Sequence, residues 1–169
     1  MAWQEEIFSA LKAANVKQVS YVPDAGHATL IKLVAGDDAI KSVPLTTEEE
    51  GVALAAGAWL GGDRSALLMQ SSGVGNCVNM FSLVSACRFP LLALVTMRGE
   101  FGEMNPWQIP MGTGTPSVLE AMGVRTLRVT QGAEAAETVA AAAVMAFEAD
   151  QAVAVLISQK LLGAKRWRK

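Results

Sequence analysis

The chain has 169 residues, of which 51% are hydrophobic and only 18% charged, with a formal net charge of −2. This balance excludes a largely disordered chain, and a sequence pI near 5.4 gives no electrostatic reason to expect nucleic acid as a partner. The length suits one domain spanning 1–169, yet the mean hydropathy of +0.31 is high for a small soluble monomer and points to a further buried face against a partner.

Apolar residues alternate between helical and strand periods along the chain. Trp3 to Val16 carries Ile7, Leu11 and Ala14 at helical spacing, and Gln18 to Val22 reads as a short strand ending at Pro23. A helix is expected over Gly26 to Val34, a strand over Ile40 to Leu45, a helix over Glu48 to Leu60 and a strand over Ser65 to Gln70. Gly75 to Ala86 reads as one helix and Pro90 to Met97 as an almost wholly apolar strand. A long loop, Arg98 to Gly114, separates that strand from a helix at Pro116 to Met122. The pattern ends with a strand at Arg125 to Val129, an alanine-rich helix at Ala133 to Ala149 and a strand at Ala152 to Ser158. The expected fold is therefore α/β: a doubly wound, mainly parallel sheet of about six strands with helices on both faces. The tail from about 160 to 169 is basic through Lys165, Arg166, Arg168 and Lys169 and reads as a solvated terminus.

Targeting and metal signals are weak. The start, Met-Ala-Trp-Gln-Glu-Glu, has acids where a secretory signal needs a basic region, and the uncharged run from Ser65 to Cys87 is interrupted by Gln70, Ser71, Ser72, Asn76 and Asn79. Cys77 and Cys87, with no Cys-x-x-Cys, read as core residues in a reducing, cytoplasmic compartment. His27 is the only histidine, which leaves no material for a multi-histidine metal site.

In an open parallel sheet, ligands sit beyond the carboxyl ends of the strands, and four such segments hold most of the unusual polar residues. Thr46-Thr47-Glu48-Glu49-Glu50 has capping-box spacing, but the helix after it, through Val52 to Leu60, shows no polar face and is expected to be buried all round. An acid at the mouth of such a helix is desolvated and suited to proton transfer. Gln70-Ser71-Ser72-Gly73-Val74-Gly75-Asn76 reads as a strand running into a Gly-x-Gly turn, without a third glycine or a Walker lysine, so it is neither a dinucleotide fingerprint nor a P-loop. Arg98 leaves a strand end, where it can contact an anion or pair with Glu100 or Glu103. Asp24 and His27 follow another strand, as cap and core residue or as ligands.

Taken together, Val22-Pro23-Asp24, Glu49 through Trp59, Met69 through Asn79, and Met97-Arg98-Gly99-Glu100 resemble the pyrimidine-binding half of thiamine diphosphate-dependent 2-oxo acid decarboxylases. The likeness is greatest to the sulfopyruvate and phosphonopyruvate decarboxylases. This resemblance implies a catalytic glutamate at Glu49, with Glu50 as the alternative register, hydrogen-bonded to N1′ of the aminopyrimidine so that the cofactor loses its C2 proton. It further implies cofactor contacts from Ser72, Gly73, Gly75 and Asn76, and substrate contacts from Asp24, His27, Arg98 and Gln108. The family's Gly-Asp-Gly segment, which holds the diphosphate through Mg2+, is missing from this chain. The resemblance therefore implies an α subunit completed by a β subunit that carries the diphosphate and Mg2+ domain, acting on a small anionic 2-oxo acid. A carboligase subunit and a non-catalytic regulatory or ligand-binding subunit are the alternatives.

Overall fold

A computed structural model describes residues 2–164; the basic cluster at 165–169 lies outside the described residues. Six strands, β1 (Val16–Tyr21), β2 (Lys41–Pro44), β3 (Arg64–Gln70), β4 (Leu91–Thr96), β5 (Arg125–Val129) and β6 (Ala152–Ile157), form one sheet in the order β2-β1-β3-β4-β6-β5. Every adjacent pair is parallel. The helices are α1 (Trp3–Ala13), α2 (Ala28–Ala35), α3 (Glu48–Leu60), α4 (Ser71–Cys77), α5 (Phe81–Cys87), α6 (Ile109–Ala121), α7 (Ala135–Phe147) and α8 (Gln159–Leu162).

Strand periodicity divides the core in two. Leu68, Leu92, Leu94, Val153 and Val155 point to one face, where Ile7 and Leu11 of α1, Leu30 and Val34 of α2 and Val139 of α7 cover them. Their neighbours Leu67, Met69, Ala93, Val95, Ala154 and Leu156 point to the other face, against Val52 of α3, Val74 of α4, Phe81 of α5 and Leu119 of α6. Strands buried on both faces read as near-continuous apolar runs, so β4 shows no alternation from Leu91 to Val95, and its last residue, the buried Thr96, is bonded to Asp24. Each fully buried leucine contributes about 2 kcal/mol of transfer free energy. β1 lies between β2 and β3, so the chain leaves β1 in one direction and returns on its other side. A reversal of this kind marks the carboxyl ends of β1 and β3 as the place where a ligand crevice is expected.

Three expectations change. Gly75 to Ala86 is not one helix but two short ones, α4 and α5, and α4 begins at Ser71 directly after β3. The Gly-x-Gly turn is therefore absent: Gly73 and Gly75 lie within α4, without positive φ. The long loop also ends early, because α6 starts at Ile109 and runs through Pro116. Gly112 within it lets the Arg98 carbonyl approach closely, since a Cβ there would lie 1.9 Å from that oxygen. Finally, α3 is not covered all round: Ala53, Gly57 and Leu60 are exposed, Leu60 to 87%.

Candidate active site

Three consecutive glutamates open α3, and helix geometry gives each a different environment. Glu48 is in phase with Gly51, Val52 and Ala55, the buried stripe of α3, and is itself only 8% exposed. Gly51 fixes how closely α3 approaches the sheet, since a Cβ there would lie 2.3 Å from Leu67 Cδ1. Glu49 is half-buried and accepts a hydrogen bond from its own neighbour, the Thr47 hydroxyl, which holds its carboxyl below the usual range. Glu50 is exposed and accepts the Thr46 backbone N–H at 3.0 Å. The two outer acids thus serve the helix start, favoured there by the positive end of the helix dipole, and only Glu48 turns inward, against α4.

Glu48 lies over Gly73. A Cβ at position 73 would stand 2.4 Å from both Glu48 Cδ and Oε1, so glycine is required for the carboxylate to occupy this place. Asn76 Nδ2 donates to Glu48 Oε2 at 2.8 Å, and no described residue donates to Oε1. Burial here falls on Glu48, whereas the sequence reading assigned it to Glu49. The stripe formed by 48, 51, 52 and 55 is the signal that selects it, but apolar residues all round α3 hide that phase. Cys77, one turn further along α4, is buried, and burial together with Glu48 and Glu49 pushes its thiol up to about 12, leaving it inert. Cys87 is exposed, contrary to the core position expected.

After β1, Asp24 is bound on both oxygens. Oδ1 accepts Gln70 Nε2 at 2.9 Å, and Oδ2 accepts the Thr96 hydroxyl at 2.7 Å and Gly26 N–H at 2.9 Å. Burial raises its pKa, but the bonds from Thr96 and Gln70 outweigh this and hold it below the usual carboxylate range. Gln70 in turn accepts the Ser72 hydroxyl at 2.9 Å, which links Asp24 to the segment beneath Glu48. Gly75 is exposed, and a Cβ there would stand 3.1 Å from Met111 Sδ on α6.

His27 does not face the crevice. It is 1% exposed, and its Nε2 lies 3.0 Å from the Leu94 carbonyl and 3.3 Å from the Met69 carbonyl. Two carbonyl partners require that Nε2 carry the proton and donate it, which leaves Nδ1 enclosed without a partner among the described residues. Burial lowers its pKa, so the ring is neutral and structural.

Arg98 is engaged by Glu103, with Nε–Oε2 at 2.5 Å and Nη2–Oε1 at 2.8 Å. This bidentate contact holds the Glu103 carboxyl down to about 2. Glu103, whose side chain is 3% exposed, also accepts Asn105 N–H and Gln159 Nε2, each at 2.9 Å. Gln159 is fully buried, and its Oε1 accepts the backbone N–H groups of Glu100 and Phe101 at 3.0 Å. The segment after β4, Arg98 to Asn105, is thus tied down as a strap, and Glu100 closes it by accepting from Arg128, the Ser158 hydroxyl and the Gln159 N–H. Of the two roles open to Arg98 in the sequence, the structure shows the pairing with Glu103, whereas the inward turn of Glu48 and the buried bonds of Gln159 were not anticipated. Arg98, Asp24, Gly26 and Thr96 line a cavity of about 160 Å3 with Leu161 and Leu162. Gln108 is half-buried at the foot of α6, its Oε1 enclosed without a donor among the described residues. A larger groove of about 690 Å3, bounded by Trp59, Arg88 and Arg125, lies at the opposite, amino-terminal edge of the strands and contains none of these residues.

No family model matches the chain. It is 36% identical over 154 residues to the sulfopyruvate decarboxylase subunit alpha of Methanothermobacter thermautotrophicus, covering 90% of this chain and 93% of that protein. The subunit alpha of Methanococcus maripaludis is 34% identical, with 90% and 92% covered. A phosphonopyruvate decarboxylase of Streptomyces viridochromogenes is 36% identical over 117 residues, which span 68% of this chain and 30% of that enzyme. Among solved structures, a 2-oxoglutarate:ferredoxin oxidoreductase from Magnetococcus marinus shares the fold, with a TM-score of 0.77 at 16% identity over 95% of this chain and 29% of that one. Two relatives above 30% identity, each matched over nearly its whole length, place this chain in the sulfopyruvate decarboxylase α-subunit family.

Proposed function

We propose that the chain is the α subunit of a thiamine diphosphate-dependent decarboxylase that converts a small anionic 2-oxo acid, of the sulfopyruvate or phosphonopyruvate kind, to the aldehyde and CO2. The observation that carries this reading is the seat of Glu48: a mostly buried carboxylate in the first turn of α3, one oxygen fixed by Asn76 and the other, over Gly73, without a donor among the described residues. That arrangement fits the edge of an aminopyrimidine, whose ring nitrogen Glu48 Oε1 would engage. Thiamine diphosphate, when bound, supplies the electron sink for loss of CO2. In this reading Glu48, rather than Glu49, holds the proton shared with N1′, and Ser72, Gly73, Gly75 and Asn76 form the adjoining wall.

Substrate contacts fall to Asp24, Arg98 and Gln108. Arg98 spends Nε and Nη2 on Glu103 but keeps Nη1, and it lines the small cavity beside Asp24. His27 is excluded by its burial. The diphosphate and Mg2+ are assigned to a β subunit, consistent with the relatives' designation as subunit alpha and with the exposed Leu60 and Trp107. The two free thiols suit a cytoplasmic setting.

Purification from the native cells tests this directly. A stoichiometric companion carrying Gly-Asp-Gly is expected, and the complex should release CO2 from sulfopyruvate or phosphonopyruvate when supplied with thiamine diphosphate and Mg2+. A companion-free homo-oligomer without affinity for the cofactor would contradict the reading.

A further inference from the structure

Asn76 is the only described side chain that donates to Glu48, and its place in the sequence accounts for the geometry. Glu48 lies in the first turn of α3 and Asn76 in the second turn of α4, two helices packed side by side on the same face of the sheet. Gly73, one turn before Asn76 on α4, leaves the space into which the carboxylate sinks. The 2.8 Å bond from Nδ2 occupies Oε2 and sets the rotation of the carboxylate, so that Oε1 is the oxygen presented over Gly73. An amide supplies a donor without adding a charge, so it can hold the carboxylate without competing with it for a proton. Asn76 itself is exposed, and its amide is spent on Glu48.

We infer that Asn76 is a positioning residue, which acts on the reaction through Glu48 by fixing which carboxylate oxygen meets the cofactor, and is not itself a cofactor ligand. The inference rests on the reading of Glu48 given above. A hydrogen bond from a neutral donor to a charged group is worth about ten- to a hundredfold in an equilibrium or rate.

The test uses the reconstituted complex with the companion subunit, comparing wild type, Asn76→Ala, Asn76→Asp, Glu48→Gln and the double variant Asn76→Ala/Glu48→Gln. Two quantities are read: calorimetric affinity for thiamine diphosphate with Mg2+, and the rate at which deuterium replaces the C2 proton of the bound cofactor, followed by NMR after acid quench. Asn76→Ala should slow exchange about ten- to a hundredfold while changing cofactor affinity less than about threefold, and should cause no further slowing in the Glu48→Gln background. Asn76→Asp, which keeps the side chain's size and removes the donor, should slow exchange at least as much, even if the alanine variant assembles poorly. Wild-type exchange in both Asn76 variants would overturn the inference. So would a loss of affinity with unchanged exchange, or an equal slowing in both backgrounds. If Glu48→Gln itself exchanges at the wild-type rate, the reading of Glu48 falls and the inference falls with it; if only the Asn76 variants are normal, that reading stands alone.

Discussion

Glu48, Glu49 and Glu50 are chemically identical, and 100° of helix rotation per residue gives them three different tasks. Glu50 secures the entry of the chain and Glu49 binds Thr47, while Glu48 is carried round with Val52 and Ala55 to the buried side of the helix. A comparable sorting operates on His27, where burial rather than exposure sets the chemistry. Its folded pKa lies below the ordinary 6.5, whereas the unfolded chain binds a proton as pH falls through 6.5. Stability from this residue is therefore fully present above about pH 6.5 and declines below it, by up to about 1.4 kcal/mol per pH unit. Urea denaturation of the chain between pH 8 and pH 5 should show that decline, and His27→Gln should flatten it. A slope unchanged in the variant would contradict a buried neutral ring.

At the level of elements, the segment after β4 is the least regular part of the site, and polar bonds rather than packing hold it. Arg98, Glu103 and Gln159 tie it to the start of α8, and Glu100 ties it to Arg128 and Ser158. Glu103, with its pKa held at about 2 by Arg98, stabilises the strap above pH 4.5, and that contribution is lost as pH falls from 4.5 towards 2. Removing the charge at neutral pH should have the same local effect. Glu103→Gln leaves a mostly buried guanidinium without its counter-charge, at a cost of about 3 kcal/mol. Hydrogen exchange at the amides of Glu100 and Phe101, both bound to Gln159, should accelerate by at least tenfold in this variant while β4 and β6 remain protected. Unchanged protection at those two amides would show that the strap does not depend on the ion pair.

For the whole molecule, much of the architecture was legible because hydrophobic period survives in strands that must be apolar on both faces. β5 and α3 fall where the pattern places them, and the parallel class follows from β4 and β6. The strand ends do come together: Asp24, after β1, is joined by hydrogen bonds to Gln70 and Thr96, the last residues of β3 and β4. What stayed hidden depends on helical phase and on distant partners. An all-apolar α3 cannot announce which of three glutamates faces inward. Gly112, Gly114 and Pro116 disguised α6 as a loop, and Gln159 reaches Glu103 across 56 positions of sequence. The exposed stripe of Ala53, Gly57 and Leu60 agrees with a chain whose apolar surface exceeds what its own fold covers.

The claim that Glu48 is the site carboxylate is tested most directly by comparing Glu48→Gln with Glu49→Gln in the assembled complex, measuring turnover of the 2-oxo acid under saturating cofactor. Loss of a proton-transfer group predicts a fall of at least about a hundredfold for Glu48→Gln, with assembly unchanged, and near wild-type turnover for Glu49→Gln. The reverse pattern, with Glu49→Gln inactive and Glu48→Gln active, would contradict the account.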